Sequence, residues 1–101
     1  LSLMDYDPSQ PGRQDFAHAG LAYCQQDYIT ALQTLFKVLD VQPQFTPAYV
    51  LLGLVYEELG DLDHARQAME MALTLDPDNF LAQHILGRMT IFLEGTSGDG
   101  Q

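Results

Sequence analysis

Hydrophobic residues recur along this chain at the spacing of helices. Tyr49, Leu52 and Tyr56 fall three and four residues apart, which places them on one face of a helix. After a short gap, the same spacing resumes between Leu62 and Leu73. Strand residues would instead alternate with a period of two. The pattern therefore predicts two amphipathic helices joined by a short turn.

Helix start and stop signals bracket both predicted helices. Thr46 stands directly before Pro47, which is the pattern of an N-cap followed by a first-turn proline. Gly60 follows the first helix as a stop signal, and Asp61 is placed to cap the second. These signals predict one complete helix–turn–helix unit.

The same arrangement occurs upstream, so the chain contains an internal repeat. Residues 13–45 align with residues 46–79. Glycine, tyrosine, alanine and proline recur at matching places: Gly20 with Gly53, Tyr23 with Tyr56, Ala31 with Ala65, and Pro43 with Pro77. Self-similarity at this period predicts a stacked array of helix pairs.

Small residues in the repeat predict close contacts between paired helices. We expect Gly20 and Gly53 to lie where a side chain would hold the partner helix away. The first unit is one residue shorter and has Gln26 near the place where the second has its turn glycine, Gly60. This difference leaves open the angle between the two helices of the first unit.

These residues resemble the tetratricopeptide repeat, a unit of about 34 residues with an aromatic residue, Leu-Gly, a tyrosine, a small alanine and a proline. The resemblance covers residues 13–94 and is strongest in the second unit. It implies an all-α fold of the helical-repeat (α-solenoid) type. Two full helix-turn-helix units, 13–45 and 46–79, would be followed by a C-terminal capping helix over residues 79–94.

The two ends of the chain depart from the repeat. In the capping helix, Gln83, Gly87 and Thr90 stand where the second unit has two tyrosines and a glycine. A polar outer side suits a last helix that faces water. Residues 95–101, GTSGDGQ, predict a flexible tail. Residues 1–12 fit either a flexible leader or a remnant of a preceding unit, because MDYDPS echoes LTLDPD in the second unit.

The charge balance narrows the class of partner. The chain has 14 acidic and 4 basic side chains, for a net charge of −10. Nucleic acid and anionic membrane surfaces are therefore poor partners, since both need a basic patch. A basic or neutral protein segment suits better. The acidic composition and the single cysteine favour a cytoplasmic protein of bacterial origin.

Residues with catalytic or metal-binding chemistry are too scattered to predict an active site. Cys24 and His18 are six residues apart on one predicted helix, so they point to different faces. The three histidines, with His64 and His84, fall on three different predicted helices without ligand-like spacing. The sequence therefore predicts a non-enzymatic protein without catalytic residues, metal or cofactor.

The resemblance implies that the first helix of each unit lines a concave groove for a peptide or partner helix. Chaperone-binding members use cations and Asn there, whereas this chain has Ala17, Leu21, Leu51 and Leu54 and keeps only Arg88. We therefore expect an apolar segment or amphipathic helix with basic flanks as the partner. The alternative is a homodimer formed through the same apolar patch. The residues predicted to bind are Ala17, Leu21, Val50, Leu54, Glu57, His84, Ile85, Arg88, Ile91 and Phe92.

Overall fold

A computed structural model describes residues 13–98, with side chains from Asp15 to Met89, and shows five α-helices in this range. Each helix packs on the next one along the chain. The all-α prediction of two helix pairs followed by a single helix is confirmed. The helices are α1 (Arg13–Cys24), α2 (Tyr28–Val41), α3 (Thr46–Glu58), α4 (Leu62–Leu75) and α5 (Phe80–Gly98).

The second helix of each pair begins at an aspartate cap. The Asp27 carboxylate accepts a hydrogen bond from the Thr30 backbone N–H at 3.3 Å, and Asp61 accepts one from the His64 N–H at 3.2 Å. These bonds satisfy donors that a helix start leaves without an intrahelical partner. For α3, however, the cap position belongs to Phe45 and no side chain caps it, so Thr46 is the first helical residue rather than the cap.

Both helix pairs turn through a residue in the left-handed region. Gly60 has a φ of 82°, and Gln26 takes the same role with a φ of 64°. The backbone N–H of Asp27 bonds to the Ala22 carbonyl at 2.8 Å, and the N–H of Asp61 bonds to the Tyr56 carbonyl at 2.9 Å. The missing glycine therefore does not change the type of turn, although a left-handed glutamine costs about 1 kcal/mol relative to glycine.

Two clusters of buried side chains form the core, one after the other along the array. Leu35 and Val55 are fully buried in the first cluster, and Met69 and Met89 lie at the centre of the second. Burial of side chains of this size stabilises a fold by about 1.5–3 kcal/mol each. Tyr56 packs against both clusters and so connects them.

The two matching glycines differ in their surroundings. A Cβ atom on Gly53 would lie 2.6 Å from Met69 Cε and 3.2 Å from the Ala65 carbonyl oxygen, whereas one on Gly20 would meet no atom within 4 Å. The expectation of a close contact at Gly20 is therefore wrong. The helix α1 has 12 residues and α3 has 13, so the turn comes one residue earlier in the first unit, and Ala19 rather than Gly20 belongs to the buried cluster.

The last helix is longer than the sequence predicts. Its expected end at Glu94 is wrong, because α5 continues to Gly98. Glycine and small polar residues are poor helix formers, and no contact of the described side chains explains why the helix continues through them. The predictions for residues 1–12, and for the tail beyond Gly98, lie outside the described residues.

The two glycines provide a matched stability test. We expect Gly20→Ala to raise the free energy of unfolding by about 0.5–1 kcal/mol, because alanine is the better helix former and the site is open. Gly53→Ala should lower it by about 1–3 kcal/mol, because the new Cβ crowds Met69 and the Ala65 backbone. Urea unfolding followed by circular dichroism measures both changes. Equal effects of the two substitutions would contradict the difference in packing.

The Asp61 cap predicts a pH dependence. Its pKa is lowered from 3.8, first by the hydrogen bond from the His64 backbone N–H and then by the His64 ring. A lowered pKa in the folded state means that the carboxylate stabilises the fold above pH 3.8. This stabilisation is lost as the pH falls through the folded value. Asp61→Asn keeps an oxygen acceptor and removes only the charge.

We therefore expect Asp61→Asn to lower the melting temperature at neutral pH and to match the unsubstituted chain at about pH 2. Thermal melts across the acidic range measure the difference. Asp63→Asn is the control, because it removes a charge from the first turn of the same helix without touching the cap. An unchanged difference at every pH would mean that the Asp61 charge does not act through the cap.

Candidate functional site

The predicted groove residues divide into surface residues and core residues. Ala17, Leu21, His84 and Arg88 are exposed, and Leu54 is half-buried. They lie on α1, α3 and α5, the helices that the resemblance predicts to line a groove. The structure therefore leaves a largely apolar surface on these three helices open to contact.

Two of the predicted binding residues, Val50 and Ile85, are buried in this structure rather than exposed. Val50 retains 7% of its surface and Ile85 retains 3%, and both belong to the buried cluster around Met69. The helices α4 and α5 cover this side of α3, so Val50 packs into the interface between them. Ala17, which aligns with Val50, remains exposed on α1. The periodicity of a sequence predicts which residues share a helix face. It does not predict which part of that face a neighbouring helix covers.

Two further leucines, Leu51 and Leu81, belong to this surface, and the repeat resemblance already places Leu51 at the groove. Leu81 is 51% exposed in the first turn of α5, and Leu51 is half-buried on α3. Leu51 aligns with the buried Ile85, so its exposure is visible only in the structure. Ile91 and Phe92 lie on α5, but their side chains are outside the described set. We define the groove face as Ala17, Leu21, Leu51, Leu54, Glu57, Leu81, His84 and Arg88.

The cation on the groove face is held by a carboxylate of the same surface. Arg88 Nη2 donates to both Glu57 Oε1 and Glu57 Oε2 at 2.7 Å, joining α5 to α3. The Glu57 side chain is only 23% exposed, so the pair is partly shielded from solvent. Of the other cations whose side chains the structure describes, Lys37 lies on α2 and Arg66 on α4. This arrangement leaves Arg88 poorly placed to hold an acidic peptide.

A second polar contact joins the first helix pair to α3. The Tyr28 hydroxyl donates to Glu58 Oε1 at 3.4 Å. Burial raises the pKa of Tyr28, and the nearby Glu58 carboxylate raises it further. The hydroxyl therefore stays protonated and remains a donor at neutral pH. The same two causes, in the same order, raise the pKa of Tyr23.

The remaining titratable residues do not assemble into a reactive centre in the part of the chain that the structure describes. His64 binds Asp61 through its ring at 2.6 Å and stacks on Tyr56 with ring centroids 5.2 Å apart. Cys24 is a free, exposed thiol. Within the described residues, no group of three or more His, Cys, Asp or Glu side chains could hold a metal ion. None of the helices described has the length and apolarity needed to cross a membrane.

Comparison with known proteins places these features in a family. The profile of the tetratricopeptide repeat matches residues 46–79. Anaphase-promoting complex subunit 3 from Dictyostelium discoideum is 39% identical over 64 residues, which are 63% of this chain and 7% of that protein. An FK506-binding protein-like protein from Rattus norvegicus is 33% identical over 92 residues, covering 88% of this chain and 26% of that protein. The chain thus spans at most about a quarter of these relatives.

A solved structure supports the same fold. The first tetratricopeptide-repeat domain of Spaghetti (RPAP3), bound to the HSP90 peptide SRMEEVD, superposes with a TM-score of 0.80. The match covers 90% of this chain and 71% of that one, at 24% sequence identity. The internal repeat, the five-helix array and these similarities lead to one assignment. This chain belongs to the tetratricopeptide-repeat family.

Proposed function

We propose that this chain is a non-catalytic protein-interaction module. Its groove face would hold an apolar peptide segment or an amphipathic helix with basic flanks. The observation that carries the proposal is an apolar surface on three successive first helices whose cation is already bound by Glu57. Membership of a family of interaction modules supports a role in binding rather than in catalysis.

The apolar part of the surface supplies the contact area. Leu21 is 55% exposed on α1 and Leu81 is 51% exposed on α5, with Leu51 and Leu54 half-buried between them on α3. Leucines spread over three helices suit a ligand that crosses the array rather than one that fills a single point. An amphipathic helix with apolar residues three and four positions apart has this shape.

The charged part of the surface favours a basic partner. Glu57 and Glu58 lie at the end of α3, and the chain as a whole carries a net charge of −10. The HSP90 peptide bound by the related RPAP3 domain, SRMEEVD, is instead acidic at its C-terminal end. A peptide of that kind would meet Leu21 and Leu54 here, and a guanidinium that Glu57 already holds. We therefore propose that this module differs from that domain in the charge of its ligand.

Selection of binders from a random peptide display library tests this proposal without knowledge of the natural partner. We expect selected peptides to combine leucine, isoleucine or phenylalanine with lysine or arginine. Leu21→Arg and Leu54→Arg should weaken binding of a selected peptide at least about tenfold, equivalent to about 1.4 kcal/mol, by isothermal titration calorimetry. The control is Phe36→Arg, because Phe36 is 50% exposed but lies on α2.

The oligomeric state separates the proposal from a homodimer formed through the same residues. Light scattering after gel filtration should give the monomer mass of 11.3 kDa. A mass twice this value that falls to the monomer mass in Leu21→Arg would indicate a homodimer instead of a peptide-binding module. Equal binding by the groove variants and Phe36→Arg would place the interaction elsewhere. Leu21 is the safer position, because Leu54 also packs against the core.

A further inference from the structure

A cavity lies beside the groove face, between the turn that joins α3 to α4 and the body of α5. Its volume is about 510 Å³, which is within the range of about 300–1,000 Å³ typical of ligand pockets. Leu62 and Met89 give it apolar walls, and the Gly60 backbone lies at its edge. Glu57 and Arg88 line it as well, so the cavity opens where their ion pair bounds the groove face.

The corresponding place in the first unit is occupied by a larger side chain. Tyr28 and Leu62 are both the first residue of their helix, directly after a capping aspartate. The Tyr28 ring packs 6.0 Å from the ring of Tyr23, and its hydroxyl reaches Glu58 on the next first helix. Leu62 has neither the ring nor the hydroxyl. All five lining positions differ between the two units, and the exchange of Tyr28 for Leu62 is one of these differences.

Carboxylates stand next to the residues that line the cavity. Glu57 is itself a lining residue, and Glu58, Asp61 and Asp63 are each adjacent in sequence to one; we refer to these four as the rim carboxylates. The described cation that lines the cavity is Arg88, and Glu57 already binds it through both oxygens. An apolar interior beneath a negatively charged rim is complementary to an apolar group that carries a positive charge beside it.

We propose that this cavity binds one apolar side chain of the partner, of the size of leucine or phenylalanine, with a lysine or arginine next to it in sequence. The apolar group packs between Leu62 and Met89, and the cation meets the carboxylates at the rim. This inference rests on the proposed function and deepens it, because the cavity and the groove face share Glu57 and Arg88. It gives the partner an anchor residue and fixes the charge of that residue's neighbour.

Methionine methyl groups provide a direct test by nuclear magnetic resonance. Met89 lines the cavity, whereas Met71 is 44% exposed on α4 and serves as an internal control. The probe is the capped dipeptide N-acetyl-phenylalanyl-lysine amide. We expect it to shift the Met89 methyl signal saturably in the millimolar range and to leave the Met71 signal in place. The matched phenylalanyl-glutamate dipeptide should bind at least about threefold more weakly, because the rim is acidic.

Leu62→Tyr is the decisive variant, because the first unit already accepts tyrosine at this position. It should fill the cavity, abolish the Met89 response, and weaken a display-selected peptide about tenfold. Tyr28→Leu is the matched substitution in the first unit and should leave the Met89 response unchanged. Leu21→Arg should weaken the selected peptide without altering the dipeptide response, since Leu21 lies on α1.

The possible outcomes distinguish the cavity proposal from the proposed function of the groove face. Absence of a saturable Met89 shift in the unsubstituted chain overturns the cavity proposal, and that result does not depend on whether Leu62→Tyr folds. An equal Met89 response in Leu62→Tyr also overturns it. If Leu62→Tyr lowers the melting temperature and the unsubstituted chain shows no Met89 response, residues of this chain fill the cavity instead. If Leu21→Arg loses peptide binding and Leu62→Tyr keeps it, the result supports the proposed function and contradicts the anchor pocket.

Discussion

Neighbouring helices in this protein approach each other over buried alanines. Ala31, Ala65, Ala72 and Ala82 retain no exposed surface, and all four belong to the buried clusters in which neighbouring helices pack. A larger side chain at such a point would separate the helices and break the contact along the whole row. Because each helix pair contacts only its neighbours, this local spacing determines how every later pair is placed. The side of α1, α3 and α5 that remains uncovered is the groove face.

Aligned residues of different units can differ in burial, because their units have different neighbours in the array. Val50 is buried because α4 and α5 cover that side of α3, whereas the aligned residue Ala17 is exposed on α1. Repeat alignment thus transfers the direction of a side chain better than it transfers exposure. A binding surface in such an array must therefore be defined from the helices that flank each position.

The sequence was sufficient for the elements and insufficient for contacts between units. Period, turn residues and caps predicted five helices, because each signal acts within a few neighbouring residues. The matching glycines do not predict that a Cβ atom on Gly53 would crowd Met69 while one on Gly20 would meet no atom within 4 Å. The Glu57–Arg88 pair joins residues 31 positions apart, and no local pattern announces it. Such contacts depend on how the helices stack, and stacking is what brings this charged pair together on the groove face.

Recognition in a repeat array is expected to come from the places where units differ. Matching residues such as Tyr23 and Tyr56 recur because every pair must pack in a similar way, so they distinguish this chain little from other arrays. Tyr28 and Leu62 are aligned and unlike, and Leu62 lines a cavity beside an ion pair. Leu62 also lies at the first position of α4, at the edge of the buried cluster around Met69. A repeat protein can therefore vary its ligand at such positions while it keeps its fold.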